Sequence, residues 1–174
     1  MLTNRKIISQ NTVVSLIKNH HKIIKETIFS LKDELNSPSQ KRKNFTKFLE
    51  EFKMHTKSEE ETLYERLLDF QELKIETLKL FEENRLAELL AQDLESLRYE
   101  EVWSEQMEAK LHVLYDLFFH HIKHEEKVIF PKIELYLSQA ELEDLGREYL
   151  ARCSEHIEFN LQEHQGKQVS QALL

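Results

Sequence analysis

Two short stretches of this chain carry the same chemistry. His55-Thr56-Lys57-Ser58-Glu59-Glu60 and His121-Ile122-Lys123-His124-Glu125-Glu126 each set a histidine four residues ahead of paired glutamates, and they stand sixty-six positions apart. Each has an aromatic residue just upstream (Phe52, Phe118). Each is followed by an apolar–aromatic pair (Leu63-Tyr64, Ile129-Phe130). On a helix, residues i and i+4 lie on one face, a turn apart. Imidazole and carboxylate together suit iron, zinc or manganese. Two such pairs facing inward from two helices are the raw material of a buried dinuclear metal site.

Frequency alone does not single these pairs out. With 32 acidic residues in 174, nine histidines should meet a carboxylate at i+4 once or twice by chance, and three do: His55/Glu59, His121/Glu125 and His112/Asp116. Position separates them. His55 and His121 interrupt stripes that are otherwise Phe, Leu, Val and Ile. A carboxylate in such a stripe is costly unless paired or coordinated, and two in one core repel unless protonated or bridged by cations. His112/Asp116 lies well away along its helix and reads as a solvated pair.

The elements that must position these residues are helices. The first is expected from near Ser9 to just before Asn36-Ser37-Pro38-Ser39, with Val13, Leu16, Ile17, Ile23, Ile24, Ile28, Leu31 and Leu35 spaced three and four apart. Pro38 cannot continue that helix. The second spans about 40–68 and carries Phe45, Phe48, Phe52, His55, Glu59, Leu63 and Leu67. A turn is placed at 69–72. The third helix carries Leu73, Leu80, Leu86, Leu90, Leu94 and Leu97, with a break between Arg98 and Ser104. The fourth carries Leu111, Leu114, Phe118, His121 and Glu125, with a kink or an end expected at Pro131. Tyr64 and Phe130 occupy equivalent slots after the two glutamate pairs and are expected to roof the core. Ser138-Gln139-Ala140-Glu141 reads as a capping box opening a fifth helix to about Glu163. The expected fold is all-α: an up-down four-helix bundle over 8–137, an additional C-terminal helix over 138–165 packed on it, and a frayed tail over 166–174.

In an antiparallel hairpin, residues equidistant from the turn lie side by side. His20 and His55 are equidistant from Ser37-Pro38, and His20 continues the first stripe. His20, His55, Glu59, His121 and Glu125 can therefore meet at one depth. His21 is also near the core face and could take the place of His20.

The order His, then His-xxx-Glu-Glu, then His-xxx-Glu-Glu-xx-Ile-Phe-Pro resembles the hemerythrin-like, HHE cation-binding four-helix domain over about residues 8–137. The resemblance implies two non-heme iron ions, bridged by oxo or hydroxo and by carboxylates. By that resemblance His20 and His55 would serve one iron, His121 the other, and Glu59 and Glu125 would bridge. The family has a histidine on the third helix, yet none occurs between His55 and His112. Mirroring positions about the second turn points to Glu82, Glu83 or Asn84. Glu83 has Leu80, Leu86, Ala87 and Leu90 at helical spacing around it, so it is the expected substitute. The alternative is a second iron position that is weak or empty.

The resemblance implies reversible O2 binding, O2 or iron sensing, or the handling of peroxide or nitric oxide. A di-iron enzyme is the competing class: a ferroxidase, a peroxidase or an iron-donating repair protein. A metal-free helical interaction module is the third. The net charge of −8 argues against nucleic acid or an anionic membrane as partner. The sequence shows no leader-like start and no apolar run long enough for a bilayer, so a cytoplasmic location is expected. Cys153 is the single cysteine, which excludes an internal disulfide and suits packing.

Overall fold

The computed structural model describes residues 11–32, 35–97 and 103–172. Five helices account for nearly all of them, with no strand among the described residues. Helix α1 is Val13–Leu31, started by Thr12, whose side chain accepts from the Ser15 amide. The expected start near Ser9 lies outside the described residues. Helix α2 begins at Pro38 under a Ser37 cap and runs Pro38–Glu59, then widens over Glu60–Tyr64 and closes over Glu65–Leu67. Proline at the first helical position costs no hydrogen bond, so the helix begins two residues earlier than expected. Helix α3 is Lys74–Ser96 and α4 is Glu105–His124 under a Ser104 cap, widening over Glu125–Ile129 and ending with Phe130–Tyr136. The break expected over 98–104 falls largely outside the described residues.

Pro131 does not end α4. The widened turn ahead of it pairs the Phe130 amide with the Glu125 carbonyl, five residues back. A proline is tolerated there because the ordinary four-back pairing has already been given up. Helix α5, Gln139–Ala172, opens on the expected capping box. The Ser138 amide donates to Glu141 at 2.8 Å, and the Glu141 amide donates back to the Ser138 hydroxyl at 3.3 Å. Its backbone stays helical past Gly166.

Apolar side chains gather in two clusters. One takes the start of α1 (Val13, Val14, Ile17), the end of α2 (Leu63, Tyr64, Leu67), the start of α3 (Leu73, Leu80), the end of α4 (Ile129, Phe130, Ile133) and the start of α5 (Leu142, Tyr149, Cys153). The other takes the opposite ends: Ile24, Ile28 and Leu31; Phe45, Phe48, Leu49 and Phe52; Ala87, Ala91 and Leu94; Met107 to Ile122. Successive helices therefore alternate in direction. Helix α1 packs on α2 and α5, α2 also on α5, and α3 on α4. Between the clusters lies a belt of buried polar side chains: His21, His55, Glu59, Asn84, His121 and Glu125. Among the described residues, no helix is long and apolar enough to cross a membrane.

Candidate metal centre

The belt is built from one turn of each helix. α1 contributes His21, wholly buried, from the stripe Ile17-His21-Ile24-Ile28. α2 contributes His55 and Glu59, both at 0% exposure, and α4 contributes His121 and Glu125. His21 and His55 meet edge to face with ring centroids 5.0 Å apart. His20 lies on the rim of the same level, half-buried, 6.1 Å from the His55 ring. His20 and His55 thus stand level across the hairpin, but His21 is the histidine of the adjacent pair that points inward.

Donor atoms converge in two overlapping groups, each within 4.8 Å: His21, His55 and Glu59 in one, Glu59, His121 and Glu125 in the other. Glu59 belongs to both. His55 Nε2 is 3.6 Å from Glu59 Oε2, His21 Nε2 is 3.1 Å from Glu125 Oε2, and His121 Nε2 is 3.5 Å from Glu125 Oε2. Yet His21 Nε2, His55 Nε2, Glu59 Oε1 and Glu125 Oε2 are buried with no hydrogen-bond partner. Each such atom costs about 1–3 kcal/mol. Even with His21 Nε2 and Glu125 Oε2 counted as one close pair, His55 Nε2 and Glu59 Oε1 remain, at about 2–6 kcal/mol against a domain's net stability of about 5–15 kcal/mol. A bound cation would remove that cost, and the donors, imidazole and carboxylate, are those that suit iron, zinc or manganese. The residues present fit a metal pair.

The outer nitrogens are all engaged. His21 Nδ1 meets Glu126 Oε1 at 2.9 Å, and Lys25 Nζ donates to the same oxygen at 3.3 Å. His121 Nδ1 meets Glu83 Oε2 at 3.0 Å. His55 Nδ1 meets the Tyr149 hydroxyl at 2.9 Å. Partners at the outer nitrogen fix the tautomer that leaves Nε2 for a metal.

On α3, the inward stripe is Thr77, Leu80, Asn84, Ala87, Ala91 and Leu94, while Leu86 is exposed. Asn84 therefore holds the core position and donates to Glu60 Oε1 at 3.2 Å. Glu83 sits one step round the helix, its side chain 16% exposed, and reaches the outer side of His121. Glu82 pairs with Arg85 at the surface. The inward face of α3 is thus one residue away from the one that its leucines suggest. His124 contacts Glu76 at 3.0 Å, and His120 and His112 are exposed.

A hydroxyl from α2 also enters the belt. Tyr64 lies 2.5 Å from Glu125 Oε1, 3.1 Å from Glu59 Oε2 and 3.1 Å from His121 Nε2. It does more than roof the core. At 100° per residue, position i+5 falls about 140° away from Glu59. The widened turn over Glu60–Tyr64 brings it back over Glu59. One signal for this is present in the sequence: the two repeats differ at this slot, Tyr64 against Phe130. Phe130 stacks on His21 instead, with ring planes 11° apart.

Electrostatics follow from burial and proximity. Burial pushes the Glu59 carboxyl well above its ordinary range, and the neighbouring Glu125 charge adds to the shift. Burial acts on Glu125 too, but His121 and His21 outweigh it and hold its carboxyl low. Burial and His21 push His55 well below 6.5. Burial would also lower His21, but Glu125 and Glu126 outweigh it and raise it. Burial sends the Tyr64 hydroxyl well above 10. Tyr64 has one proton for three acceptors, and the shortest contact, to Glu125 Oε1, is the one that takes it.

These shifts have a pH signature in the metal-free chain. Glu59 and His21 are raised on folding, so they bind more protons folded than unfolded, and their contribution is lost as pH rises. For Glu59 the loss begins near 4.5, and for His21 it begins near 6.5. His55 is lowered, so its contribution is lost as pH falls below 6.5. The metal-free chain should therefore lose melting temperature above pH 6.5. The loaded chain should hold or gain, because ligands must shed their protons to bind. Melting curves against pH, with and without metal, test this; parallel curves would contradict it.

The model of the hemerythrin HHE cation-binding domain matches residues 12–133, and the chain belongs to that family. The match ends just before α5. No curated protein and no solved structure matches the chain significantly.

Proposed function

We propose that this chain is an up-down bundle of α1–α4, with α5 laid against α1 and α2, that holds two iron ions and binds O2 or a related diatomic or peroxide ligand. The observation that supports the reading is the set of four buried, partnerless donor atoms facing one another across three helices. His21, His55 and Glu59 would hold one ion, and His121, Glu125 and the shared Glu59 the other. Two ferrous ions held by these residues would supply two electrons to an oxygen ligand.

The chain's own residues set the conditions. Phe52, Phe118, Phe130 and Leu63 line the belt on either side and keep water out. Glu126 and Glu83 orient His21 and His121. Tyr64 offers an oxygen donor in place of the imidazole absent from α3. Ferric loading should then give the visible absorption of a coordinated phenolate, and Tyr64→Phe should abolish it. Absorption that survives the substitution would leave the hydroxyl as a proton donor to Glu125 only.

The test of function is to mix the anaerobically Fe(II)-loaded chain with O2. Colour that reverses under vacuum supports binding or sensing. Irreversible oxidation, with turnover on added Fe(II) or peroxide, would instead establish an enzyme. The buried Tyr64 hydroxyl, 2.5 Å from Glu125 Oε1, is the observation that favours this second reading, because reduction of oxygen or peroxide consumes protons and this O–H can supply one.

A further inference from the structure

The family match stops at residue 133, yet a residue of α5 reaches the outer nitrogen of His55. Tyr149 is completely buried, and its hydroxyl lies 2.9 Å from His55 Nδ1 and 2.7 Å from His20 Nδ1. We propose that Tyr149 is the positioning residue for His55, so that the C-terminal helix completes the metal centre and makes its two halves unequal. This rests on the metal reading above.

The hydrogen-bond directions follow from counting protons. His55 Nε2 faces the donors of His21 and Glu59 and has no partner of its own. If that nitrogen is to bind a cation it carries no proton, so the ring proton sits on Nδ1 and is donated to the Tyr149 oxygen. The single Tyr149 proton is then free for His20 Nδ1, which accepts it. A tyrosine hydroxyl is one of the few side-chain groups that can accept on one side and donate on the other. His20, placed by the hairpin at the depth of the site, is thus an outer prop that keeps the hydroxyl turned with its lone pair towards His55.

The three buried imidazoles are consequently held in two ways. His21 and His121 lean on the carboxylates of Glu126 and Glu83. A carboxylate partner raises the basicity of the imidazole it holds. His55 leans on a hydroxyl, which carries no charge. His55 is therefore the weaker donor, and the ion it serves is the more easily lost. The asymmetry originates in a helix that the matched family domain does not include.

The test uses the whole chain and Co(II) as probe, because bound Co(II) moves the exchangeable ring N–H resonances of its histidine ligands out of the ordinary proton spectrum. The native chain should bind two Co(II) and show three such resonances, one each from His21, His55 and His121. Tyr149→Phe keeps the ring and removes only the hydroxyl. It should weaken one Co(II) by about 10–100-fold, the range seen when an outer partner of a ligand is removed. It should also erase one shifted resonance by exposing that N–H to exchange, and leave the second Co(II) at native affinity. His20→Ala should act on the same ion by a smaller factor, and it serves as the test should Tyr149→Phe fail to fold. A structural role alone would weaken both ions alike and spare all three resonances, and that result would overturn the proposal. Two ions of native affinity in both variants would overturn it as well, with the metal reading intact. A native chain that takes up no Co(II) or Fe(II) would sink the metal reading and this proposal with it.

Discussion

Glu59→Gln should leave the chain unable to keep either ion, and should make the metal-free chain harder to melt. Glu59 is the residue common to both donor groups, so its loss cannot be confined to one position. An amide is a far poorer ligand than a carboxylate, and the drop in affinity at both positions should exceed the roughly 10–100-fold that follows removal of an outer partner. Metal-free, the balance reverses. Native Glu59 is wholly buried beside Glu125, with Oε1 unpartnered, and burial drives its carboxyl well upward. Glutamine keeps the shape and an acceptor for the Tyr64 hydroxyl, and it has no proton to lose. A gain of about 1–3 kcal/mol is expected from relieving one misplaced polar group, and in a chain of this size each kcal/mol moves the melting point by about 2–4 °C. Metal analysis of the purified variant and melting of both stripped proteins check the two halves separately. A stripped variant that melts below the stripped native chain would show that the carboxyl is no burden.

The second large effect is steric. Helix α5 crosses the start of α1 at Gly146, where a β-carbon would overlap the Asn11 carbonyl oxygen and lie 3.1 Å from the Val13 amide nitrogen. The obstructing atoms are backbone and cannot rotate aside. Gly146→Ala should therefore force α5 outward and cost the typical overpacking penalty of about 1–3 kcal/mol. Tyr149 follows three residues later on the same side of α5, so it should withdraw from His55. The variant should thus melt lower and should also lose the weaker ion, which links packing at one end of the molecule to binding at its waist. Calorimetry and a metal titration measure the two effects. Native melting with native affinity would mean that the crossing can yield without disturbing the site.

How much of this was legible in the sequence depends on the kind of information. The helices announced themselves through spacing, and the hairpin at Ser37-Pro38 placed His20, His21 and His55 at one depth. The His-xxx-Glu repeats located α2 and α4 at the centre, because a histidine and a glutamate are too costly in a stripe of Phe and Leu unless something binds them there. The choice between His20 and His21 was not legible, since both lie within one residue of the stripe's inner edge. Leucine neighbours single out Glu83, but Leu86 points to solvent and Asn84 faces the core. A stripe with leucines on two sides does not fix its own midline. Tyr64 was invisible for a different reason: a period of 3.6 residues is no guide across a turn that is wound more loosely. Tyr149 falls on the packing face of α5, but no local pattern says what lies across from it.

The two loosely wound turns also constrain the chain in a way that composition would not reveal. Each adds a surplus residue to its helix, immediately after Glu59 in one and beginning at Glu125 in the other. The apolar lettering on either side is consequently out of phase, and it is read correctly only through that surplus. Deleting one residue of 60–64 or 125–129 would restore ordinary winding and leave the later side chains in phase, whereas a deletion in an evenly wound stretch would swing them by about 100°. Leu67 would stay in the end cluster in the first case, and Ile133 in the second. These ten positions are thus where each helix has a residue to spare, and the evenly wound stretches on either side are where a change in length would unseat the ends.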